Sequence, residues 1–409
     1  MSNDTVRTVE PDVFVARLRE RVDQPDYIKR TAEADRLGQL SIENVRTLQE
    51  LGVTGMVVDP AHGETGPGLD LIVRVTETLG YRDPSTAVAL NMHWGGARSL
   101  GQMPSFPRRD EAFAAIRAHE AVTCGAFSVP SGSLDARTAR LHCRADGDDL
   151  VFSGRAGFGS MSDAAAYVMV GGVIDGSAED GQELFAMTIA RSGEPGLINH
   201  RNWSAMGMRA TGSNDIECAG LRVPRADCLV TPLDSLKAQR KVTDSAIVAF
   251  GVAGIWLGAA RAAFDFTLDH VQHRYGYMAE GTFNPAAQTF HADEAWAHTA
   301  IGNMDHWLGT GRALLYDMIS RIDSYDDEHE LTRDLVRTLF HLRRMTEEVA
   351  MGAMKTCGAH GFVTDRPLER IFRDLLGGVV MAWKTDQLQQ TLGVGALGRP
   401  IRFTGPGGN

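Results

Sequence analysis

Apolar residues recur along this chain with two different periods. Between about Asp12 and His119 they fall at helical spacing: Ile42, Val45, Leu48 and Leu51 stand three apart, and a second apolar stripe runs from Leu69 to Leu79. The Gly/Pro-rich run from Asp59 to Gly68 separates the two and predicts a turn. From Ala121 to about Pro232 the pattern shortens to β-rich runs, among them Tyr167 to Val170 and Leu184 to Ile189, with turn signals at Ala145 to Asp149 and Ser192 to Gly196. After Pro232 no proline occurs until Pro285, and long amphipathic segments return over Asp244 to Arg274, Thr289 to Asp323, Glu328 to Cys357 and Pro367 to Leu392. Helices of that length joined by short connections predict a bundle, and the acidic run Asp323 to Glu330 reads as a solvated turn within it. The order predicts an α+β fold in three parts: an α-helical domain over residues 1–119, a β-domain over 120–235 and a four-helix bundle domain over 236–409.

Composition narrows the function classes. The 409 residues are 43% hydrophobic and 23% charged, enough to bury a substantial core. The net charge is −11, from 52 acidic and 41 basic residues, and no dense Lys/Arg run offers a phosphate backbone its electrostatic footprint, so no nucleic-acid partner is expected. No apolar run approaches the roughly 20 residues that span a bilayer, and the polar first residues do not resemble a secretory signal, so no membrane partner and a cytoplasmic location are expected. The five cysteines are odd in number and scattered, which speaks against disulfides and against a zinc site. No metal is expected: Glu294 and His298 have the wrong spacing for a di-metal bundle and no partner helix. Gly393 to Gly398 fits Gly-x-Gly-x-x-Gly but follows a helical segment rather than a strand, so it reads as a helix terminator.

Chemistry enters with the segment Cys-Gly-Ala-His-Gly-Phe-Val-Thr-Asp-Arg-Pro-Leu-Glu-Arg-Ile-Phe-Arg-Asp, from Cys357 to Asp374. It closely resembles a signature of the acyl-CoA dehydrogenase superfamily. Ala87 to Gly101 is similar to that family's histidine-containing helix before the β-domain, Cys124 to Ser133 to its Thr-Glu-Pro-x-x-Gly-Ser strand and turn, and Met206 to Pro224 to its last β-hairpin. The resemblance implies FAD, with FMN as the other possibility. Phe127 and Ser128 would line the pyrimidine side of the ring, Ser133 would sit near the substrate's polar arm, and Phe158 and Ser160 would back the flavin and bond near its reactive edge. Arg274 corresponds to an arginine that contacts the diphosphate of a flavin held by a neighbouring subunit, and Gly358, Ala359 and Gly361 would let the backbone approach the same cofactor. Contacts across subunits imply a homo-oligomer, most often a tetramer.

One part of the family's chemistry is missing. Its dehydrogenases abstract an α-proton with a carboxylate from one of two positions. These fall here on Ala382 and Val248, neither of which can take a proton. The resemblance then favours an oxygen-using flavin monooxygenase of specialised metabolism, acting through a C4a-hydroperoxyflavin, with Ser160 and His93 as the catalytic residues. Such an enzyme can draw reduced flavin from a partner reductase. Related monooxygenases carry a histidine soon after the Arg-Asp pair where this chain has Val380-Met381-Ala382-Trp383. Two alternatives stay open. One is a dehydrogenase or oxidase of an acyl or carrier-protein thioester with a non-standard base, for which Asp244, His306 and His360 are candidates. The other is a catalytically inactive flavin-binding homologue.

Overall fold

The computed structural model describes residues 10–59, 67–101, 105–125, 141–233, 235, 242–274, 290–381 and 383–401. Prolines with fixed φ open the first two helices, α1 (Pro11–Val22) and α2 (Pro25–Leu37), and left-handed Gly38 ends the second. Ser41 caps α3 (Ile42–Glu50) by accepting from the Asn44 amide. Two more long helices follow, α4 (Leu69–Arg82) and α5 (Pro84–Gly101), then the short α6 (Arg109–Arg117). Buried Asp83 ties this layer together. Its carboxylate accepts from the Thr86 amide at the start of α5, from Thr31 of α2 and from Asn44 of α3, at 3.0 to 3.1 Å.

The middle of the chain is one eight-stranded sheet: β1 (Thr123–Gly125), β2 (His142–Asp146), β3 (Asp149–Gly159), β4 (Tyr167–Ile174), β5 (Leu184–Arg191), β6 (Leu197–Asn199), β7 (Asn214–Pro224) and β8 (Leu229–Pro232). The order is β6-β7-β3-β2-β4-β5-β8, with β1 added parallel to β4. The predicted Ala145 to Asp149 turn becomes the β2–β3 hairpin, with Gly147 at φ 63° supplying the left-handed residue. The β3–β7 ladder slips register twice, between Phe152 and Ser153 and again between Ala156 and Gly159. The second bulge re-aims the end of β3, where the candidate site lies.

The chain then returns to helices: α7 (Val242–His273), α8 (Ala295–Arg321), α9 (Glu328–Cys357), the single turn α10 (Ala359–Phe362), α11 (Pro367–Val380) and α12 (Thr385–Ala396). Helix α7 is long and apolar enough to cross a bilayer, yet 89% of that apolar window is buried inside the protein. It is apolar on all sides because α4, α5, α8, α9 and α11 surround it. Glycines set its contact with α4: a Cβ at Gly258 would lie 2.0 Å from the Glu77 carbonyl oxygen, and one at Gly80 would lie 2.3 Å from that of Ile255. The α+β order of helices, sheet and helical bundle follows the expectation. One element differs: the helix expected over Pro367 to Leu392 is two, broken after Val380, where Met381 is extended and Trp383 adopts φ 60°.

Candidate active site

The bulge that ends β3 places an aromatic and a hydroxyl side by side. Phe158 takes φ 58° and leaves 49% of its surface exposed, and Ser160, two residues on, is 9% exposed. The Phe158 ring meets Trp203 edge to face, with centroids 5.8 Å apart. Trp203 is itself pinned: its indole N–H donates to the Met208 carbonyl at 2.9 Å and its amide to Asn214 Oδ1 at 2.9 Å.

Behind Ser160 runs a chain of hydroxyls. Ser160 Oγ lies 2.8 Å from Ser213 Oγ, which lies 2.6 Å from Thr211 Oγ1, and Thr211 donates to the Met208 carbonyl at 3.0 Å. Each hydroxyl has one proton. With Thr211 donating to the carbonyl, every proton finds an acceptor when Ser213 donates to Thr211 and Ser160 to Ser213. Ser160 Oγ then keeps lone pairs with which it can accept a further hydrogen bond. The surrounding backbone is cross-linked as well: the Met161 amide donates to Thr211 O at 3.0 Å, Ser162 Oγ to Gly212 O at 2.7 Å, and Asn214 Nδ2 to Ser162 Oγ at 3.0 Å and Asp163 Oδ1 at 2.9 Å. Ser213 and Thr211 were not singled out from the sequence as site residues. Their only sequence signal is the small hydroxyl run Thr211-Gly212-Ser213 inside the hairpin motif.

The loop joins the helical bundle through Asp374. The Met208 amide donates to Asp374 Oδ1 at 2.7 Å, and Arg370 Nη1 stands 3.9 Å from its other oxygen. Burial pushes the Asp374 carboxyl up to about 7, against the pull of Arg370 and the Met208 amide. The fit leaves no room for a larger residue at Gly207, where a Cβ would lie 1.9 Å from the Arg373 carbonyl oxygen.

His93, on α5, is fully buried with both ring nitrogens engaged. The Thr123 amide donates to Nδ1 at 3.0 Å, so the proton belongs on Nε2, which faces the Thr54 carbonyl at 3.0 Å. Burial holds the imidazole down at about 4, only partly offset by the Thr54 bond. The ring is a neutral strut between α5, β1 and the turn after α3. The early base position is equally apolar. The Val248 carbonyl accepts from Asn91 Nδ2 at 2.9 Å, and a Cβ on Gly95 would lie 2.9 Å from Val248 Cγ2, so Val248 packs on α5. Arg343, not anticipated from the sequence, is buried beneath α11, with Nη1 donating to the Gly378 carbonyl and the guanidinium 5.9 Å from the Trp256 ring.

The other expected site residues fall into two groups. Phe127, Ser128, Ser133 and the late base position Ala382 lie outside the described residues. Arg274 directly follows α7, and the turn carrying Gly358 and Ala359 belongs to the same region, since His270 of α7 packs 5.8 Å from His360. Gly358 takes φ 56° with open space where a Cβ would project. At Gly361 a Cβ would meet Leu368 at 2.8 Å and Cys357 at 3.0 Å, so internal packing alone accounts for that glycine. The Gly393 to Gly398 motif lies at the C-terminal end of α12 and not after a strand.

An exposed aromatic on a strained bulge and, two residues on, a hydroxyl with lone pairs left to accept suit a flavin ring, whose faces stack and whose nitrogens hydrogen-bond. Comparison with known proteins agrees in fold and in the C-terminal domain. Residues 250–378 match the family model for the acyl-CoA dehydrogenase C-terminal domain. The chain is 24% identical over 360 residues to the putative acyl-CoA dehydrogenase YdbM of Bacillus subtilis (strain 168), covering 87% of this chain and 89% of that protein. It is 25% identical over 358 residues to the amino sugar nitrososynthase DnmZ of Streptomyces peucetius, covering 85% and 84%. The structure of KijD3 in complex with FMN and dTDP-3-amino-2,3,6-trideoxy-4-keto-3-methyl-D-glucose superposes with a TM-score of 0.79 at 21% identity, covering 98% of this chain and 96% of that one. Residues 250–378 thus carry the match to the acyl-CoA dehydrogenase C-terminal domain, and along most of its length the chain is similar to acyl-CoA dehydrogenases and nitrososynthases and shares their fold.

Proposed function

We propose that this protein is a flavin-dependent oxidoreductase that uses dioxygen to oxygenate a small molecule, and that it does not desaturate an acyl thioester. The observation that carries the proposal is Val248: one of the two positions from which the family's carboxylate acts is an aliphatic side chain packed on α5. The resemblance of the chain to nitrososynthases, one of them solved with a nucleotide-linked amino sugar, supports an amine on a sugar as the group oxygenated. An amine attacks with its own lone pair and needs no carboxylate to remove a carbon-bound proton.

In this proposal Phe158 and Ser160, with Phe127 and Ser128, hold the flavin ring, and Ser133 lies beside the cofactor near the substrate's polar arm. Reduced flavin, when bound, supplies the two electrons that divide dioxygen between the substrate and water. Ser160, with its proton committed to Ser213, accepts a hydrogen bond from an N–H donor. Val248 and the tightly packed α5 contact keep water from that side of the pocket. His93 acts by positioning: its two hydrogen bonds fix α5 against β1. Arg274, Gly358 and Ala359 approach the phosphate of a flavin held by a neighbouring copy. Assembly into a homo-oligomer, a tetramer by resemblance, is supported by apolar side chains exposed in the same region: Trp296 at 45%, Phe362 at 77% and Val363 at 44%. A partner reductase delivers the reduced flavin, which agrees with the Gly393 to Gly398 motif being a helix end and not a dinucleotide loop.

The test is to load the protein anaerobically with reduced FMN or FAD and mix it with oxygenated buffer, with and without a nucleotide-linked amino sugar. The expected result is a flavin absorbance distinct from both oxidised and reduced forms before oxidised flavin appears, and isotopically labelled oxygen in the product. Oxidation of an acyl-CoA without oxygen uptake would overturn the proposal, as would the absence of any flavin binding.

A further inference from the structure

Asp374 belongs to the bundle, yet the group it holds belongs to the loop behind Ser160. Its side chain on α11 is 1% exposed, and its carboxylate is matched thinly: the Met208 amide donates to Oδ1 at 2.7 Å and Arg370 Nη1 stands 3.9 Å from Oδ2. Close packing sets the two segments in one register. A Cβ on Gly207 of the loop would lie 1.9 Å from the Arg373 carbonyl oxygen, one on Gly377 of α11 would lie 2.9 Å from Met208 Cγ, and Ser85 Oγ of α5 meets Met208 Sδ at 3.8 Å. Asparagine at position 374 would accept the same amide bond without burying a charge, so stability alone does not call for a carboxylate here.

We propose that Asp374 is a positioning residue for Ser160, acting across the domain boundary through Met208 and the Thr211 and Ser213 hydroxyls. This rests on reading Ser160 as the hydroxyl that meets the flavin. Met208, at φ 54°, is fixed on both sides: its amide by Asp374, and its carbonyl by the Trp203 indole at 2.9 Å and Thr211 Oγ1 at 3.0 Å. That carbonyl is the acceptor from which the direction of every proton in the hydroxyl chain follows. Once Met208 turns away, Thr211 donates to Ser213 and Ser213 to Ser160, and Ser160 becomes a donor. Ionised Asp374 thus keeps Ser160 an acceptor.

Charge at Asp374 acts on the loop and on the fold in opposite directions. Burial lifts its carboxyl from the ordinary 3.8 to about 7; Arg370, the Met208 amide and Arg373 pull it down, and Asp35 of α2 pushes it up. On α9 the buried Arg343 donates to the Gly378 carbonyl one turn further along α11, against which α7 presents Trp256, a group that does not titrate. The bond from the Met208 amide favours the ionised form, so the loop is held most firmly above about pH 7 and loosens as pH falls. Folding stability runs the other way. A carboxyl whose folded value exceeds its unfolded value contributes stability that is complete below about 4 and lost as pH rises through 7.

Deuterium uptake by residues 206–213 of the full-length protein without flavin, read by mass spectrometry at pH 6 and pH 8 and corrected for the intrinsic rate, tests the hold on Met208. The wild type is expected to be protected about fivefold more at pH 8, the worth of charging one hydrogen bond, while its urea midpoint falls. Asp374→Asn should keep the pH 6 level at both values, and Asp374→Ala should lose it at both. With FMN or FAD added, Asp374→Ala should favour oxidised over reduced flavin about fivefold relative to the wild type, because a donating Ser160 no longer accepts from the reduced ring. Should the alanine variant not fold, the asparagine variant decides: the wild type's preference between the two flavin forms should change with pH and that of Asp374→Asn should not. Protection that falls with rising pH alongside the urea midpoint, or that stays pH-dependent in Asp374→Asn, overturns the proposal, as does a flavin preference unmoved by these substitutions. A wild type that binds no flavin overturns the reading of Ser160, and the exchange data still decide whether Asp374 holds the loop.

Discussion

Replacing Arg373 with methionine should cost this protein about 3 kcal/mol of stability. Arg373 donates through both terminal nitrogens to Asp35, at 3.0 and 2.6 Å, to Glu369 through Nε at 2.8 Å, and to the Met206 carbonyl at 3.0 Å. It thus fastens α2 of the N-terminal layer to α11 of the bundle and to the loop behind Ser160. The side chains are 21% exposed for Arg373, 10% for Asp35 and 17% for Glu369, so removal of the cation strands two poorly solvated carboxylates. Breaking a buried pair from one side costs about 3–5 kcal/mol. The lower end applies because Arg209 remains 4.0 Å from Asp35. Arg321→Met provides the control, since its pairing with Asp317 is 45% and 55% exposed and such pairs contribute roughly 0–1 kcal/mol. The assay is the urea unfolding midpoint of each variant, with Asp35→Asn/Arg373→Met expected to recover part of the loss because one stranded charge is gone. A loss at Arg373 no larger than that at Arg321 would refute the reasoning.

Three further outcomes follow from the same contacts. The His93 value near 4 lies below the roughly 6.5 of an unfolded histidine, so its contribution is complete above about pH 6.5 and fades as pH falls toward 4, by up to about 3 kcal/mol. His93→Gln should abolish that acid sensitivity in urea midpoints measured at pH 5 and 7.5, while leaving the pH dependence of turnover above pH 6 unchanged; a lost acid limb in the rate profile would restore His93 as an acid–base catalyst. Ser160→Ala should slow oxygen transfer to substrate by about tenfold and shift the melting temperature by only a few degrees, whereas Ser213→Ala should lower the affinity for reduced flavin relative to oxidised flavin by roughly fivefold, the worth of about one hydrogen bond. All five cysteines are buried and burial pushes Cys124 up to about 12, so a thiol reagent should label none in the native protein and five after unfolding.

The elements were legible in the sequence because their signals are local. Three-residue apolar spacing marked Ile42 to Leu51, and the Ala145 to Asp149 turn signal marked the β2–β3 hairpin. The Pro367 segment was read as one helix too long because its apolar pattern continues past the break, and only the backbone shows Trp383 in the left-handed region. The chemistry was legible in part. Phe158 and Ser160 stand out by resemblance, but the hydroxyl that takes the Ser160 proton, Ser213, lies 53 positions away. His270, His291 and His360 stand far apart in sequence, and only the fold brings their rings together. For His93 the sequence shows a histidine in a suggestive motif but not its partners, Thr54 and Thr123, which only the fold brings to both ring nitrogens.

The distribution of backbone strain ties these observations together. Seven non-glycine residues have positive φ among the described residues, and four of them, Phe158, Met161, Arg201 and Met208, lie at the end of β3 or in the loop leading to β7. Each costs on the order of 1–3 kcal/mol and persists only where its surroundings over-determine it. They do so here: Met161 is held by Thr211 O, Met208 by Asp374 through its amide and by Trp203 and Thr211 through its carbonyl, and Arg201 by Asn199. Apart from Asn199, which pairs with Ile216 in the sheet, those partners lie outside the strands. The strain is concentrated at the point where an exposed aromatic ring, Phe158, is followed two residues on by the buried Ser160 hydroxyl. In the proposed site, with no carboxylate at Val248, fixed hydrogen-bond geometry would carry the chemistry, and a strained, cross-linked bulge would supply it without reorganisation.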